Sequence, residues 1–365
     1  MTNRSKGLGI IGAGSVARLH AEAAPKAGVR VAGICDVDGA KARALAAEVD
    51  GAVATDSLET LLGRDDIDAV VVAVPNCYHK QVAIDAMRAG KDVLLEKPMA
   101  MSVAECDEII AARVQTGRLL QMGFVCRGAP AAVTAHRLAG EGRFGRIYHV
   151  KASVYRQRGI PGLGRWFTNR AMSGGGALMD VGVHLVDLAM HMTGFPRPAR
   201  ASCVCTGMFG NPVGAYAFEE MWSGPPDAAG LFDVEDAATA LVRFDGGLSL
   251  ELNVTWAANV NREYLRDAVV LLGDKGGCVA DLWNNELIVT TERDGQVVSE
   301  KQRLPEGDAW GSAWQRQHER FRDCVESRTQ PDPSGADGRA IQTVIDALYR
   351  SAAEDREVEV EQSVP

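Results

Sequence analysis

The sequence predicts a two-part α/β chain. Residues 1–124 read as a doubly wound parallel sheet, and residues 125–365 as an α+β region on an open, mostly antiparallel sheet. Three observations lead there. Residues 7–124 alternate short apolar runs with amphipathic helical stretches, the pattern of βαβ units. A glycine-rich turn directly follows the first apolar run. Beyond about residue 128 the apolar runs alternate with polar residues at period two, as half-buried antiparallel strands do.

The bounds agree. At 365 residues the chain has room for two cores, and 46% hydrophobic with 24% charged residues is an ordinary globular composition. Net charge is 39 − 48 = −9 with no basic run, which argues against nucleic acid or an anionic membrane surface as partner. The eight cysteines (Cys35, Cys77, Cys106, Cys126, Cys203, Cys205, Cys278, Cys324) form no C-x-x-C pair and read as buried free thiols in a reducing compartment. Leu8–Ile11 is too short for a signal peptide and no stretch approaches a membrane span, so a cytoplasmic protein is expected.

In order, strands are expected at Leu8–Ile11, Val31–Cys35, near Val53, Ala69–Val74, Asp92–Leu95 and Leu119–Phe124. Helices are expected from the glycine turn to about Ala27, over Gly39–Val49, after His79 to Gly90 and after Ser102, the last opening with a capping box to Glu105. A helix at Pro130–Leu138 and a strand at Arg146–Tyr155 lead into the loop 156–171. Strands follow at Ala199–Met208, Ala237–Phe244, Gly247–Trp256, Ala268–Leu272, Cys278–Leu282 and Glu286–Thr291, helices near Ser312–Ser327 and Ala340–Ala353, and a last strand at Val358–Glu361. The period-free stretch 209–236 is too long for an idle connection and reads as a binding loop or interface arm.

Gly12-x-Gly14-x-x-Ala17 follows a strand, opens a helix, and has Asp36 at the end of the next strand. That context marks a dinucleotide site. Gly12 permits the turn, Gly14 lets the backbone approach a pyrophosphate, and the helix N-terminus around Ala13, Ser15 and Val16 faces its charge. Asp36 would accept the ribose hydroxyls and repel a 2′-phosphate, favouring NAD; Lys41 and Arg43 are near enough to keep NADP possible.

Ser173–Gly194 reads at 100° per residue as a helix of two sides. Leu178, Val181, Leu185, Leu188 and Met192 line the core side, and Asp180, His184, Asp187 and His191 share another. Asp180 and His184, four apart, can touch, and a carboxylate beside an imidazole can prepare a general base. Gly182 between them suggests a close approach to the backbone. A core helix with satisfied histidines, or a metal site, would use the same pattern.

Together, the Gly12–Ala17 turn, Ala89-Gly-Lys-Asp-Val-Leu-Leu-Glu96-Lys97-Pro98, Gly174-Gly-Gly-Ala-Leu-Met-Asp180-Val-Gly-Val-His184-Leu-Val-Asp187-Leu and Val74-Pro75-Asn76-x-x-His79 resemble the Gfo/Idh/MocA family of NAD(P)-dependent sugar and polyol oxidoreductases. The resemblance implies a Rossmann domain, a second α/β domain whose open sheet makes homodimers or homotetramers, and a pocket served by Lys97 from one domain and by Asp180 and His184 from the other. It further implies that Val74, Pro75, Asn76, His79 and Glu96 line the cofactor side, with Asn76 and His79 bracing that loop. A base must take the hydroxyl proton when a secondary alcohol is oxidised; His184 oriented by Asp180 is the candidate, with Lys97 on the reacting oxygen or sharing the acid/base role. Arg127, Tyr155, Arg156, Arg158, Arg165 and Trp166 are candidates for substrate, arginines and aromatics suiting polyhydroxylated ligands. The expected activity is therefore a sugar, glycoside or inositol dehydrogenase. Alternatives are a glycoside hydrolase that oxidises a ring carbon only transiently, and a non-catalytic NAD-binding regulator.

Overall fold

The computed structural model describes residues 7–215, 223–261 and 263–361; the part of the expected loop at 216–222 lies outside the described residues. The chain divides into two compact units, Met1–Val125 with Gly311–Ala340, and Cys126–Trp310 with Ile341–Pro365.

In the first unit, strands β1 (Gly7–Ile11), β2 (Arg30–Cys35), β3 (Val53–Thr55), β4 (Ala69–Val72), β5 (Asp92–Glu96) and β6 (Leu120–Gly123) form one all-parallel sheet, in the order β3-β2-β1-β4-β5-β6. Helices α1 (Ser15–Lys26), α2 (Gly39–Ala46), α3 (Leu58–Leu62), α4 (His79–Arg88) and α5 (Val103–Thr116) connect them. Strands β1, β4, β5 and β6 are buried at every residue, which is why they read as largely apolar runs. Ala17, Ala21 and Ala24 bring α1 close onto Ile10, Ile34 and Val71. Ser102 caps α5 by accepting the Glu105 N–H, as expected, while the return arm from Glu105 reaches the amide of Met101 rather than that of Ser102.

Strand order reverses between β1 and β4, and the loops after β1, β4 and β5 leave the carboxyl edge of the sheet there. This is where doubly wound sheets bind ligands.

The second unit holds a nine-stranded sheet of β7 (Ile147–Tyr155), β8 (Pro198–Thr206), β9 (Ala237–Phe244), β10 (Ser249–Thr255), β11 (Ala268–Gly273), β12 (Gly276–Asp281), β13 (Glu286–Arg293), β14 (Gln296–Lys301) and β15 (Val358–Glu359), in the order β14-β13-β12-β11-β7-β10-β9-β8-β15. All pairs are antiparallel except β7 with β10. Val150, Ala152 and Val154 stand beside Leu250, Leu252 and Val254, and all six are buried. The opposite face carries His149, Lys151, Ser249, Glu251 and Asn253, and there Glu251 reaches Lys151 at 3.4 Å. Helices α6 (Pro130–Gly140), α7 (Arg170–Ser173) and α8 (Val183–Met192) precede most of this sheet, and α9 (Ala309–Ser327) and α10 (Gly335–Glu354) lie between β14 and β15 in the chain.

Three sequence expectations change. Helix α3 and strand β14 were not anticipated, since a five-residue helix is too short to show a period and β14 is an edge strand with no buried residue. The expected helix through residues 173–194 is interrupted, as described below. Residues 311–340, placed by sequence in the second region, cluster with the first unit, where Phe321 and Val325 of α9 join the β1–β2 core. Periodicity identifies a helix face but not the sheet it covers.

Among the described residues no helix is long and apolar enough to cross a membrane.

Candidate active site

The glycine turn has the shape of a dinucleotide cradle. Gly12 has φ +102°, and a Cβ there would stand 2.2 Å from the Ala73 carbonyl oxygen. A Cβ on Gly14 would meet nothing within 4 Å, so the backbone there borders open space. Gly14 is also the N-cap of α1 and has no side chain to cap it, which leaves the first turn of Ser15, Val16 and Ala17 as a helix N-terminus suited to an anion. Asp36 sits at the end of β2 as expected. Its Oδ2 accepts the Ala13 N–H at 2.8 Å and its Oδ1 the Asp38 N–H at 2.8 Å, so it also holds the cradle in shape.

The loops after β4 and β5 are tied together by His79. Its Nε2 lies 2.9 Å from the Val74 carbonyl and its Nδ1 2.7 Å from that of Pro98. Burial pushes the His79 pKa below the ordinary histidine value, so the neutral ring donates to one of the two carbonyls. The brace expected of His79 is thus concrete: the Val74–Pro75 loop, continued by buried Asn76, and the turn Lys97–Pro98, whose peptide is cis, share one imidazole. Glu96, buried, accepts the Lys97 N–H at 3.2 Å, while Lys97 itself is half-buried.

In the second unit the Asp/His segment is three pieces. Helix α7 ends at Gly174 in the left-handed conformation (φ +80°), a π-turn covers Leu178–Gly182, and α8 begins at Val183. The 100° step therefore does not hold through Asp180. Leu178, Val181, Leu185, Leu188 and Met192 are buried as expected. The glycines before the π-turn have separate reasons. A Cβ on Gly175 would lie 1.9 Å from the Tyr349 hydroxyl, and one on Gly176 would lie 1.8 Å from the Glu235 carbonyl oxygen. The close neighbour at Gly182 is the Leu178 side chain, 2.8 Å from a Cβ there.

Asp180 is held by a residue that sequence reasoning left as a strand side chain. The indole Nε1–H of Trp256, just past β10, donates to Asp180 Oδ2 at 3.0 Å, and Arg156 lies 3.8 Å from the same oxygen. Trp256 is fully buried, and a buried indole needs an acceptor; that is the signal available in the alternating run. Glu235 and Tyr349 had no such signal. One oxygen of Glu235 accepts the Gly176 and Leu178 N–H groups at 2.9 and 3.0 Å and the Tyr349 hydroxyl at 2.7 Å, placing a carboxylate at the start of the segment. Burial raises the Glu235 pKa and raises that of Tyr349 well above its ordinary value. His184 is half-buried on α8.

The remaining candidates have contacts of their own within the protein. Arg127, expected near substrate or cofactor or else in a surface salt bridge, is 1% exposed. Its Nη2 lies 2.6 Å from Oδ1 of Asp187, itself fully buried on α8. The His191 ring stacks on His136 at 3.9 Å. Arg158 donates to the Gln157 and Ala258 carbonyls and to Asn259 Oδ1, and covers the Phe209 ring. Arg165 donates to the Pro225 carbonyl, and Trp166 stacks on Phe167. Tyr155, half-buried, has its pKa raised by burial and by Glu251 and Asp267. Arg156 is the candidate in this loop whose guanidinium lies beside Asp180.

Two family models match. Residues 6–124 fit an oxidoreductase family with an NAD-binding Rossmann fold, and residues 132–279 fit the GFO/IDH/MocA C-terminal domain. The chain belongs to the Gfo/Idh/MocA family. It is 30% identical, over 99% of both chains, to D-glucoside 3-dehydrogenase of Escherichia coli K12. Among solved structures it resembles GenD2 of gentamicin A biosynthesis in complex with NAD (28% identity, 99% of this chain and 98% of that one, TM-score 0.80). Levoglucosan dehydrogenase with NADH and levoglucosan shares the fold at 22% identity, over 98% of this chain and 100% of that one, with a TM-score of 0.86. This Gfo/Idh/MocA member is thus an NAD-binding oxidoreductase, and its open space at Gly14 and uncapped α1 fit that cofactor.

Proposed function

We propose that the enzyme moves a hydride between a ring secondary hydroxyl, or the matching ketone, of a sugar, glycoside or inositol and NAD. The observation that carries this is the placement of Lys97. It leaves β5 at the carboxyl edge of the cofactor sheet, in a turn that His79 ties to the loop after β4. An ammonium there can donate to the reacting oxygen and stabilise negative charge as it develops. NAD, when bound, takes the hydride from the carbinol carbon.

Lys97 orients the hydroxyl and lowers the cost of its deprotonation. His184 takes the proton at a ring nitrogen, and Asp180, anchored by Trp256, orients that ring. Asp36 favours NAD over NADP by repelling a 2′-phosphate. Val74, Pro75, Asn76 and Glu96 complete the cofactor side, and Tyr155, Arg156, Arg158 and Trp166 shape the substrate side. The dehydrogenase names of the relatives support the substrate class. The polar open face of the nine-stranded sheet supports a homodimer or homotetramer.

The test is a panel of free sugars, glycosides and inositols with NAD, read as nicotinamide absorbance, with the ketone position found by borohydride trapping. Stoichiometric NADH and a trapped ring ketone support the reading. Aglycone release with no net NADH would replace it with glycoside hydrolysis by transient oxidation.

A further inference from the structure

Lys97 is connected to a histidine that the proposed reaction does not use and that lies outside both family-matched segments. His318, on α9, places Nε2 3.0 Å from Nδ1 of His20 on α1. The other nitrogen of His20 lies 3.0 Å from Glu96 Oε1, and Glu96 Oε2 accepts the Lys97 backbone N–H. An ionised carboxylate only accepts, so His20 Nε2 carries a proton and donates it to Glu96. Burial and the neighbouring His20 hold the His318 pKa well below the ordinary value, so this ring is neutral and meets His20 as a hydrogen-bond partner. Both rings are essentially fully buried, and Trp314, one turn before His318, stands edge-on to His20 at 4.9 Å and 86°. The chain has been cleared for the carboxylate as well: a Cβ on Gly123 would lie 2.6 Å from Glu96 Oε1.

We propose that His20 and His318 are positioning residues for Lys97: they fix the Glu96 carboxylate on the Lys97 amide and so set the direction in which the lysine leaves β5. The proposal rests on the reading of Lys97 as the residue at the reacting oxygen. Hydrogen bonds to a carboxylate are among the stronger ones, and a buried carboxylate that loses a donor turns to other partners. Helix α9 thereby does more than cover the sheet; it completes the support of the lysine from about 220 residues further along the chain.

The experiment is amide hydrogen exchange at Lys97 in the full chain with NAD bound, followed residue by residue in wild type, His318→Leu, His20→Leu, His20→Gln and Gly123→Ala. The two leucine variants are expected to speed Lys97 exchange about tenfold or more while amides of β1 and β4 keep their rates. His20→Gln, which restores a donor near the Nε2 position, is expected to return it toward wild type. Gly123→Ala displaces the carboxylate without touching either histidine and is expected to speed it too. It also keeps the test decisive if a leucine variant does not fold.

Unchanged Lys97 exchange in the variants that fold, or an equal rise across β1 and β4, overturns the proposal. With a substrate from the panel, kcat should fall in the leucine variants while KM for NAD stays put; a fall confined to NAD affinity would contradict it. Absence of any turnover in wild type would sink the dehydrogenase reading, while the exchange result would still decide whether the histidines position Lys97.

Discussion

Trp256 shows how a buried donor can orient a carboxylate proposed to serve the reaction. Its indole Nε1–H donates to Asp180 Oδ2 at 3.0 Å, with Arg156 at a looser 3.8 Å. Trp256→Phe keeps most of the packing and removes the donor. It is expected to lower kcat about tenfold, the cost of one lost hydrogen bond to a carboxylate, with NAD binding by calorimetry unchanged. Arg127 and Asp187 make the opposite case. Both are buried and paired, so Arg127→Met removes the arginine from a buried carboxylate and should cost about 3–5 kcal/mol in denaturant unfolding. A loss of sugar affinity with stability intact would instead return Arg127 to the substrate. Asp36, proposed to favour NAD, also holds the Ala13 and Asp38 amides with its two oxygens. Asp36→Asn keeps an acceptor and drops the charge, so steady-state kinetics should show the NADP/NAD ratio of kcat/KM rising about tenfold or more.

At the scale of elements, the glycines of the Asp/His segment and of the cofactor turn do different things. Gly176→Ala would drive a methyl into the Glu235 backbone and Gly175→Ala one into the Tyr349 hydroxyl, so both should destabilise by about 1–3 kcal/mol or more in thermal and denaturant unfolding. Gly14→Ala meets open space, so it should leave stability nearly untouched and weaken NAD binding. Glu235 adds a pH dependence. Its pKa is raised in the folded chain, so the native state holds this proton more tightly than the unfolded one. The contribution is favourable at low pH and is lost as pH rises from the ordinary carboxylate range through the raised value. Glu235→Gln should flatten that decline in unfolding free energy against pH.

What could be read from sequence at this scale followed from periodicity. The all-buried parallel strands, the alternating β10 and the capped α5 announce themselves in a dozen residues or fewer. The π-turn at Leu178–Gly182 does not, because its geometry is imposed by Tyr349 and Glu235, neither of them near in sequence. Strand β14 had one overlooked cue, the Asp294–Gly295 pair, both at positive φ in a hairpin turn.

For the whole molecule, the two-part α/β architecture and the cofactor cradle were legible because each rests on local patterns in a fixed order. The return of α9 to the first unit was not, because an amphipathic helix carries no address. Nor were the long-range side-chain contacts: Trp256 lies 76 residues from Asp180, and His318 lies 298 from His20. Lys97, Asp180 and His184 are the residues proposed for the chemistry; the structure shows the Glu96 contact at the Lys97 amide and the Trp256 contact at Asp180. The open sheet face would be covered in an oligomer, so native mass spectrometry is expected to find a dimer or tetramer, and Glu251→Arg, which sets a second cation beside Lys151, to shift it toward monomer.

The most direct test is nicotinamide absorbance for wild type beside Lys97→Ala, on whichever ring polyol the panel selects, with NAD affinity measured separately. The account predicts kcat reduced by about 10²–10⁴ with NAD affinity nearly unchanged, as loss of a group acting at the reacting oxygen requires. A Lys97→Ala enzyme that turns over within a few-fold of wild type would contradict it.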